Sequence, residues 1–313
     1  MTVLIMGATG FLGKRVAKKL DEKKVAYVKL SKSLGVDFTN FETFISTVKS
    51  IPAKINAIVN CAALVGGIKY GLEHTGEMFY VNSLISLNLY EVARQLGISK
   101  VINPISNCSY PRDLTGQFTE KEWWNGELDD SVAVYGMVRK MSYIQSVAYL
   151  KQYGINTINL IVPNMYGPED HFDEVRSHAL GALIRKITAA KSKGEEKVIV
   201  WGTGSPIREW LYVDDCAEAI YRSLTSPDTI EPINLGCGKG ISIKELAFLI
   251  ADIVDYKGEL YFDATKPNGA PYKVMDVTRC SDYFRWLPSM PIKEGIRHSV
   301  EWLNAEANIL HVA

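Results

Sequence analysis

Between the apolar stretch Val3-Leu4-Ile5 and the helical pattern Val16-Ala17-Lys18-Lys19-Leu20 lies the run Met6-Gly7-Ala8-Thr9-Gly10-Phe11-Leu12-Gly13. Glycine at these positions answers three demands: a tight turn after a strand at Gly7, close approach of a ligand to the backbone at Gly10, and helix-on-strand packing at Gly13. A helix that begins there aims its free N–H groups outward, where they hold phosphates. A glycine-rich turn alone is common, but a strand before it and a helix after it within one βαβ-sized unit specify a dinucleotide site. Gly7, Thr9, Gly10, Phe11, Leu12 and Gly13 are therefore the first cofactor-binding candidates.

The alternation continues along the chain. Apolar runs suited to buried parallel strands recur at Val3 to Met6, Tyr27 to Leu30, Ala57 to Asn60, Lys100 to Ile105 and Thr157 to Val162. Helical stretches separate them, notably Glu77 to Leu96 and Tyr135 to Gln152. This pattern predicts an α/β fold with a doubly wound parallel sheet of the Rossmann type. Beyond Pro163, loops alternate with short helices and the strand-like pieces Lys197 to Trp201 and Glu259 to Phe262, which predicts a smaller α/β C-terminal lobe. Pro232-Ile233-Asn234-Leu235 again reads as a buried strand, so the lobes interleave. The expected division gives residues 1–165 and about 211–240 to the nucleotide-binding domain, and 166–210 and about 241–313 to a substrate lobe. The cleft at the carboxyl ends of the strands is the expected ligand site.

With 313 residues, of which 47% are hydrophobic, the chain can bury a substantial core. Lys+Arg and Asp+Glu both number 35, so no global field draws the chain to nucleic acid or an anionic membrane, and local groups must hold any anionic ligand. The first strand begins almost at the N-terminus and no apolar run approaches spanning length, so a soluble cytoplasmic protein is expected. Five cysteines lack metal-ligand spacing, and neither a disulfide framework nor a metal site is expected. Cys61, Cys216, Cys237 and Cys280 read as small buried hydrophobes; Cys108 is the exception.

An acid at the end of the second strand reads a ribose 2′-hydroxyl, whereas a 2′-phosphate needs a cation there. Here Lys29-Leu30-Ser31-Lys32-Ser33 holds no acid until Asp37. NADP(H) is thus expected, with Lys32 and Arg15 toward the phosphate and Asp37 near the adenine; the alternative is that these cations are merely solvated. Asn60, Ala62 and Ala63, ending the third run, let a cofactor pass closely. Reduction of a ketone needs a proton donor kept acidic by a neighbouring cation, and tyrosine with a cation one helical turn later meets that need. Ser106 and Tyr135 fit, and the residue four after Tyr135 is Arg139, followed by Lys140.

At these residues the chain resembles the extended short-chain dehydrogenase/reductase (NAD-dependent epimerase/dehydratase) superfamily, within it the enzymes acting on GDP-4-keto-6-deoxy sugars. The resemblance spans nearly the whole chain. It rests on Gly7 to Gly13, Ala62-Ala63-Leu64-Val65-Gly66-Gly67-Ile68, Ser106-Asn107-Cys108-Ser109-Tyr110-Pro111, Asn164-Met165-Tyr166-Gly167-Pro168, Ser177-His178 before Ala182-Leu183-Ile184-Arg185, Trp201-Gly202-Thr203-Gly204, Arg208 to Asp215, and Asp276 to Arg279. It implies epimerisation at C3 and C5 followed by NADPH reduction at C4, as in GDP-L-fucose synthesis. Tyr135 would donate a proton to O4, Ser106 would hydrogen-bond it, and Cys108 and His178 would be the base and acid of epimerisation. Asn164 and His178 also lie toward the cofactor. Arg185, Arg208 and Lys273 are the diphosphate candidates, with Asn164 and Trp201 on sugar and base.

One departure stands out: the family has lysine where this chain has Arg139, so either Arg139 substitutes, the preferred reading, or Lys140 does, or reduction is impaired. Competing readings are a C4 reductase alone, on a GDP-4-keto-6-deoxy hexose or heptose, and a non-catalytic dinucleotide sensor. A symmetric homodimer through the two long helices is expected.

Overall fold

The computed structural model describes residues 1–173, 177–266 and 268–312. The first part of the chain runs β1 (Thr2–Met6), α1 (Phe11–Glu22), β2 (Ala26–Leu30), α2 (Phe41–Ser50), β3 (Ala57–Asn60), α3 (Ile68–Glu73), α4 (Thr75–Gln95), β4 (Lys100–Ser106), α5 (Ala133–Tyr153) and β5 (Asn156–Val162). It continues as β6 (Asn164–Tyr166), α6 (Ala179–Lys193), β7 (Lys197–Trp201), β8 (Ile207–Tyr212), α7 (Val213–Thr225), β9 (Ile233–Asn234), β10 (Gly240–Ser242), α8 (Ile243–Val254), β11 (Glu259–Asp263), β12 (Tyr272–Lys273), α9 (Thr278–Phe284) and α10 (Ile292–Val312).

A six-stranded sheet in the order β2-β1-β3-β4-β5-β9 has every pair parallel. Such strands are covered on both faces, which is why β1 and β3 are almost wholly apolar. One face is closed by α1 and α7. On α1 the residues Leu12, Val16, Ala17 and Leu20 recur at helical spacing and meet Val213, Ala217, Ile220 and Leu224 of α7 over Val3, Ile5 and Val59. Burial of each Leu, Val or Ile among them contributes about 1.5–3 kcal/mol. The opposite face is closed by α2 and α4 through Phe44, Val48, Ile85 and Leu89. Strand order reverses between β1 and β3, and their carboxyl ends form the switch point at which such sheets bind ligands.

The second core gathers α6, α8 and α10 around Ile184, Ile187, Leu246, Ile250 and Ile296. Beside it, β7 pairs with β11 in parallel. Strand β8 links the lobes: Ile207–Glu209 pair with β10 and β12, while Trp210–Tyr212 pair with β6. Buried Glu209 fastens this junction by accepting from the N–H groups of Gly238 (2.7 Å) and Met275 (2.9 Å). Residues 278–287, expected with the substrate lobe, pack instead on the first core through Cys280, Phe284, Trp286 and Leu287. The short strands β6, β10 and β12 have too few residues to carry an apolar period of their own.

Candidate active site

Local geometry gives each glycine of the first turn a cause. Gly7 has φ +74°, and a Cβ there would lie 2.6 Å from the Cys61 carbonyl oxygen. A Cβ on Gly13 would fall 2.1 Å from the Gly7 oxygen, so only glycine lets α1 close onto β1. Around Gly10, by contrast, the nearest neighbour is the Gly7 oxygen at 3.3 Å. That residue is the N-cap of α1; no side chain caps the helix and its first turn holds no acid. The N-terminal N–H groups are thus left for an anion, as a pyrophosphate site requires. Leu12 and half-buried Phe11 give their side chains to the core, which leaves their backbone available to a ligand.

Around this turn the expected cofactor residues divide. Lys32 is exposed just past β2, and the Thr9 hydroxyl meets Ser33 Oγ at 2.7 Å, which meets Ser31 Oγ at 3.0 Å. Asp37 sits in a local turn: its Oδ1 accepts from the N–H (2.9 Å) and hydroxyl (2.7 Å) of Thr39, bonds that hold its carboxyl below the usual range. Arg15 does not reach toward a 2′-phosphate. It donates to the Pro168 carbonyl at 2.8 Å and pairs with Glu169 at 3.2 Å and Asp214 at 3.7 Å, its charge drawn to the acids between the lobes. Asn60 Oδ1 accepts from the Ala62 N–H at 3.2 Å and turns the chain past exposed Ala63.

Two asparagines of α4 were not legible as site residues. Asn82, 2% exposed, accepts from the Leu64 N–H and donates to the Leu64 carbonyl, both at 3.0 Å, so one amide pins the segment after β3. Asn88 donates to the carbonyls of Phe38 (2.9 Å) and Thr39 (3.1 Å) and pins the segment after β2. A polar side chain on the buried face of an otherwise apolar helix was the available signal.

Ser106 ends β4. Its Oγ accepts from the Cys108 N–H at 3.1 Å, which leaves its own O–H to donate. The first turn of α5 approaches this loop closely: a Cβ on Gly136 would lie 2.7 Å from the Cys108 carbonyl oxygen. Glycine there draws Tyr135 to the loop that carries Ser106 and Cys108. One helical turn on, Arg139 Nη2 donates to the Tyr135 phenolic oxygen at 2.7 Å, and the guanidinium carbon sits 4.3 Å from the ring centroid. Arg139 is 6% exposed. Lys140 points elsewhere, with Nζ 4.7 Å from the Trp124 ring centroid, and burial pushes its ammonium below the usual lysine range. The cation beside Tyr135 is therefore Arg139.

From the second lobe, Arg208 comes within electrostatic reach of Cys108. Arg208 and Lys273 are register partners on β8 and β12. Burial lowers the Arg208 guanidinium, while Cys108 and Asp129 act on it in the opposite sense; Lys273 acts on Asp129 in turn. Cys108, Arg208, Lys273 and the unforeseen Asp129 thus form one electrostatic group. His178 is the N-cap of α6, and burial together with His171 holds its imidazole below the usual range. Arg185 follows seven residues later on the same helix face. Exposed Trp201 ends β7, with Lys186 Nζ at 5.6 Å and Lys266 Nζ at 5.8 Å from its ring centroid. Asn164 lies half-buried on β6 opposite Trp210. Among the cysteines, Cys216 and Cys280 are buried as expected, whereas Cys61 and Cys237 are only partly so.

Comparison with known proteins follows the same lines. The model of the NAD dependent epimerase/dehydratase family matches residues 3–236. GDP-L-fucose synthase 1 of Arabidopsis thaliana is 32% identical over 303 residues, covering 96% of this chain and 92% of that protein. Among solved structures, a GDP-6-OMe-4-keto-L-xylo-heptose reductase from Campylobacter jejuni superposes with TM-score 0.90 at 23% identity, over 97% of this chain and 98% of that one. A GDP-mannoheptose C4 reductase from the same organism, with NADP bound, gives TM-score 0.87 at 24% identity over the same shares of the two chains. With a family model over most of its length and a relative of this identity over nearly all of it, the chain belongs to the NAD dependent epimerase/dehydratase family.

Proposed function

We propose that the protein is an NADPH-dependent enzyme that epimerises a GDP-4-keto-6-deoxy sugar at C3 and C5 and reduces it at C4. The observation that carries this reading is the Tyr135–Arg139 pair drawn against the Ser106–Cys108 loop through Gly136. The likeness to GDP-L-fucose synthase 1 over nearly the whole chain supports the substrate class. The NADP-bound reductase of the same fold, and exposed Lys32 just past the end of β2, support the choice of cofactor.

The uncapped α1 terminus and the Gly7, Gly10 and Gly13 backbone fit the pyrophosphate, with Thr9, Lys32, Asn60, Ala62 and Ala63 along the rest of the cofactor. When bound, NADPH supplies the two electrons and the hydrogen that C4 receives. Ser106 donates its free O–H to O4 and orients the ketone. Tyr135 gives its phenolic proton to O4 as negative charge develops there, and the Arg139 N–H on the phenolic oxygen stabilises the charge left behind. Cys108 and His178 act as base and acid at C3 and C5, where the neighbouring ketone acidifies the C–H bonds. Arg185, Arg208 and Lys273 hold the diphosphate, and Trp201 and Asn164 the base and sugar.

The enzyme acts as a cytoplasmic homodimer. Five free cysteines suit a reducing compartment, and α4 and α5 expose Tyr80, Leu87, Met137 and Ile144 side by side. Among the described residues, no helix is long and apolar enough to cross a membrane. A reductase without epimerase activity is the second reading, favoured by the two heptose reductases that share the fold. Incubation with NADPH and GDP-4-keto-6-deoxymannose in deuterated water separates the two. Oxidation of NADPH with deuterium at C3 and C5 is expected; oxidation without deuterium identifies a reductase only, and no oxidation with any GDP-4-keto sugar overturns both.

A further inference from the structure

Ser106 and Cys108 sit on one side of the site and Tyr135 and Arg139 on the other, joined at Gly136. A second connection joins the same elements. Ser109 donates its hydroxyl to the Ser106 carbonyl at 2.6 Å and accepts from the Trp123 indole N–H at 2.8 Å. Both residues are fully buried. The Trp123 ring then meets α5: it packs edge-on against Tyr143 with centroids 5.1 Å apart, and Lys140 Nζ lies 5.9 Å from its centroid. Lys140 directly follows Arg139, the residue that binds the Tyr135 hydroxyl. The Ser106–Trp123 loop is also fastened below, where Tyr110 donates to Asn234 at 2.7 Å and Asn234 donates to the Phe118 carbonyl at 2.8 Å.

We propose that Trp123, acting through Ser109, is a positioning residue that fixes the Ser106–Cys108 turn relative to the Tyr135–Arg139 helix. The inference rests on the functional reading above. Its chemistry is that of a hinge pin. A serine hydroxyl swings freely about its Cα–Cβ bond, but here one partner takes its proton and another supplies one, so a single rotamer remains. The indole N–H is the ring's one donor, and the ring that carries it packs against Tyr143 of α5. Lys140 has no acidic partner among the described residues, and the faces of Trp123 and Trp124 are what receive its charge. The lysine beside Arg139 thus serves the geometry of the site from below, without touching a reacting atom.

The test uses the full chain and four variants, S109A, S109T, W123F and the S109A/W123F double. Two readouts are taken: the rate at which iodoacetamide alkylates Cys108, followed by the mass of the Cys108 peptide, and kcat and KM with NADPH and the keto sugar. W123F keeps the ring and loses the N–H; S109A keeps the fold's apolar contacts and loses the hydroxyl, so it reports even where W123F fails to fold. Each single variant is expected to change the Cys108 alkylation rate by about threefold or more and to lower kcat by about tenfold, with the KM for NADPH within about twofold of the parent. S109T should restore both, and the double variant should be no worse than either single, because one linkage is broken in each. Unchanged alkylation and kcat in folded S109A would overturn the proposal, as would additive losses in the double variant. If the parent chain oxidises no NADPH the functional reading fails, and the alkylation series still decides the positioning role.

Discussion

At the scale of single residues, the Tyr135–Arg139 contact distinguishes this site. A guanidinium is planar and always charged, and its fork lets one N–H reach the phenolic oxygen while the plane lies over the ring, which a lysine point charge cannot do at once. Arg139→Met should fold, since the change removes a charge and keeps volume, but should lower kcat by about 10²-fold, a loss in the range for one stabilising donor at a developing charge. Arg139→Lys should keep more of the activity than Arg139→Met. Steady-state kinetics with NADPH check both, and equal activity of all three chains would remove Arg139 from the mechanism. The choice between Arg139 and Lys140 was open in the sequence because spacing alone gives an angle on the helix and no length. The structure decides it through Trp123 and Trp124, which lie on the face where position 140 falls and hold that amine.

Among the elements, α4 holds the segments that follow β2 and β3 through two asparagines. Asn82 and Asn88 are six positions apart, about 9 Å along the helix, and each fixes the backbone of a different loop. Asn82→Ala leaves the Leu64 N–H and carbonyl without their partner and should weaken NADPH binding about tenfold, measured as quenching of protein fluorescence on titration. The loop ahead of α6 makes a pH prediction. Asp170, accepting from the His171 N–H at 2.7 Å, is buried enough for desolvation to push its carboxyl up from 3.8 to about 7. Its folded-state value exceeds its unfolded one, so between these limits the folded chain binds more protons and this residue's contribution to stability falls as pH rises. Asp170→Asn should therefore unfold at a higher temperature than the parent at pH 8, with the difference shrinking toward pH 4; a constant difference would contradict the shift. Long elements such as α5 and β5 were legible in the sequence because an apolar period needs several residues to declare itself, and the glycine turn because its demands are local. Asp129 near Arg208, the diversion of Arg15 to Glu169, and the Asp37–Thr39 turn were not, because each depends on which distant or neighbouring group takes a polar side chain's bonds.

In the whole molecule, the first core and the sheet require α4 to present one face inward, yet the helix is apolar on its outer side as well, where Tyr80 and Leu87 are exposed one heptad apart. On α5, Met137 and Ile144 repeat that spacing, and α4 and α5 lie against each other through the Ser86–Ser142 hydroxyl bond of 2.9 Å. Two helices that are apolar on both faces are ordinarily buried on both, and a second copy related by a twofold axis would complete a four-helix layer. The same α4 carries Asn82 and Asn88 on its inner side, so a dimer would brace the helix that holds both cofactor loops. Light scattering should therefore give twice the chain mass, and Leu87→Glu with Ile144→Glu should halve it by forcing carboxylates into the apolar contact. The monomer so formed should bind NADPH more weakly than the dimer, because α4 would lose the surface against which it is braced. A chain that scatters as a monomer before substitution would refute the dimer. A variant that becomes monomeric with unchanged NADPH affinity would keep the interface and show that the asparagine clamps hold their loops without help from it.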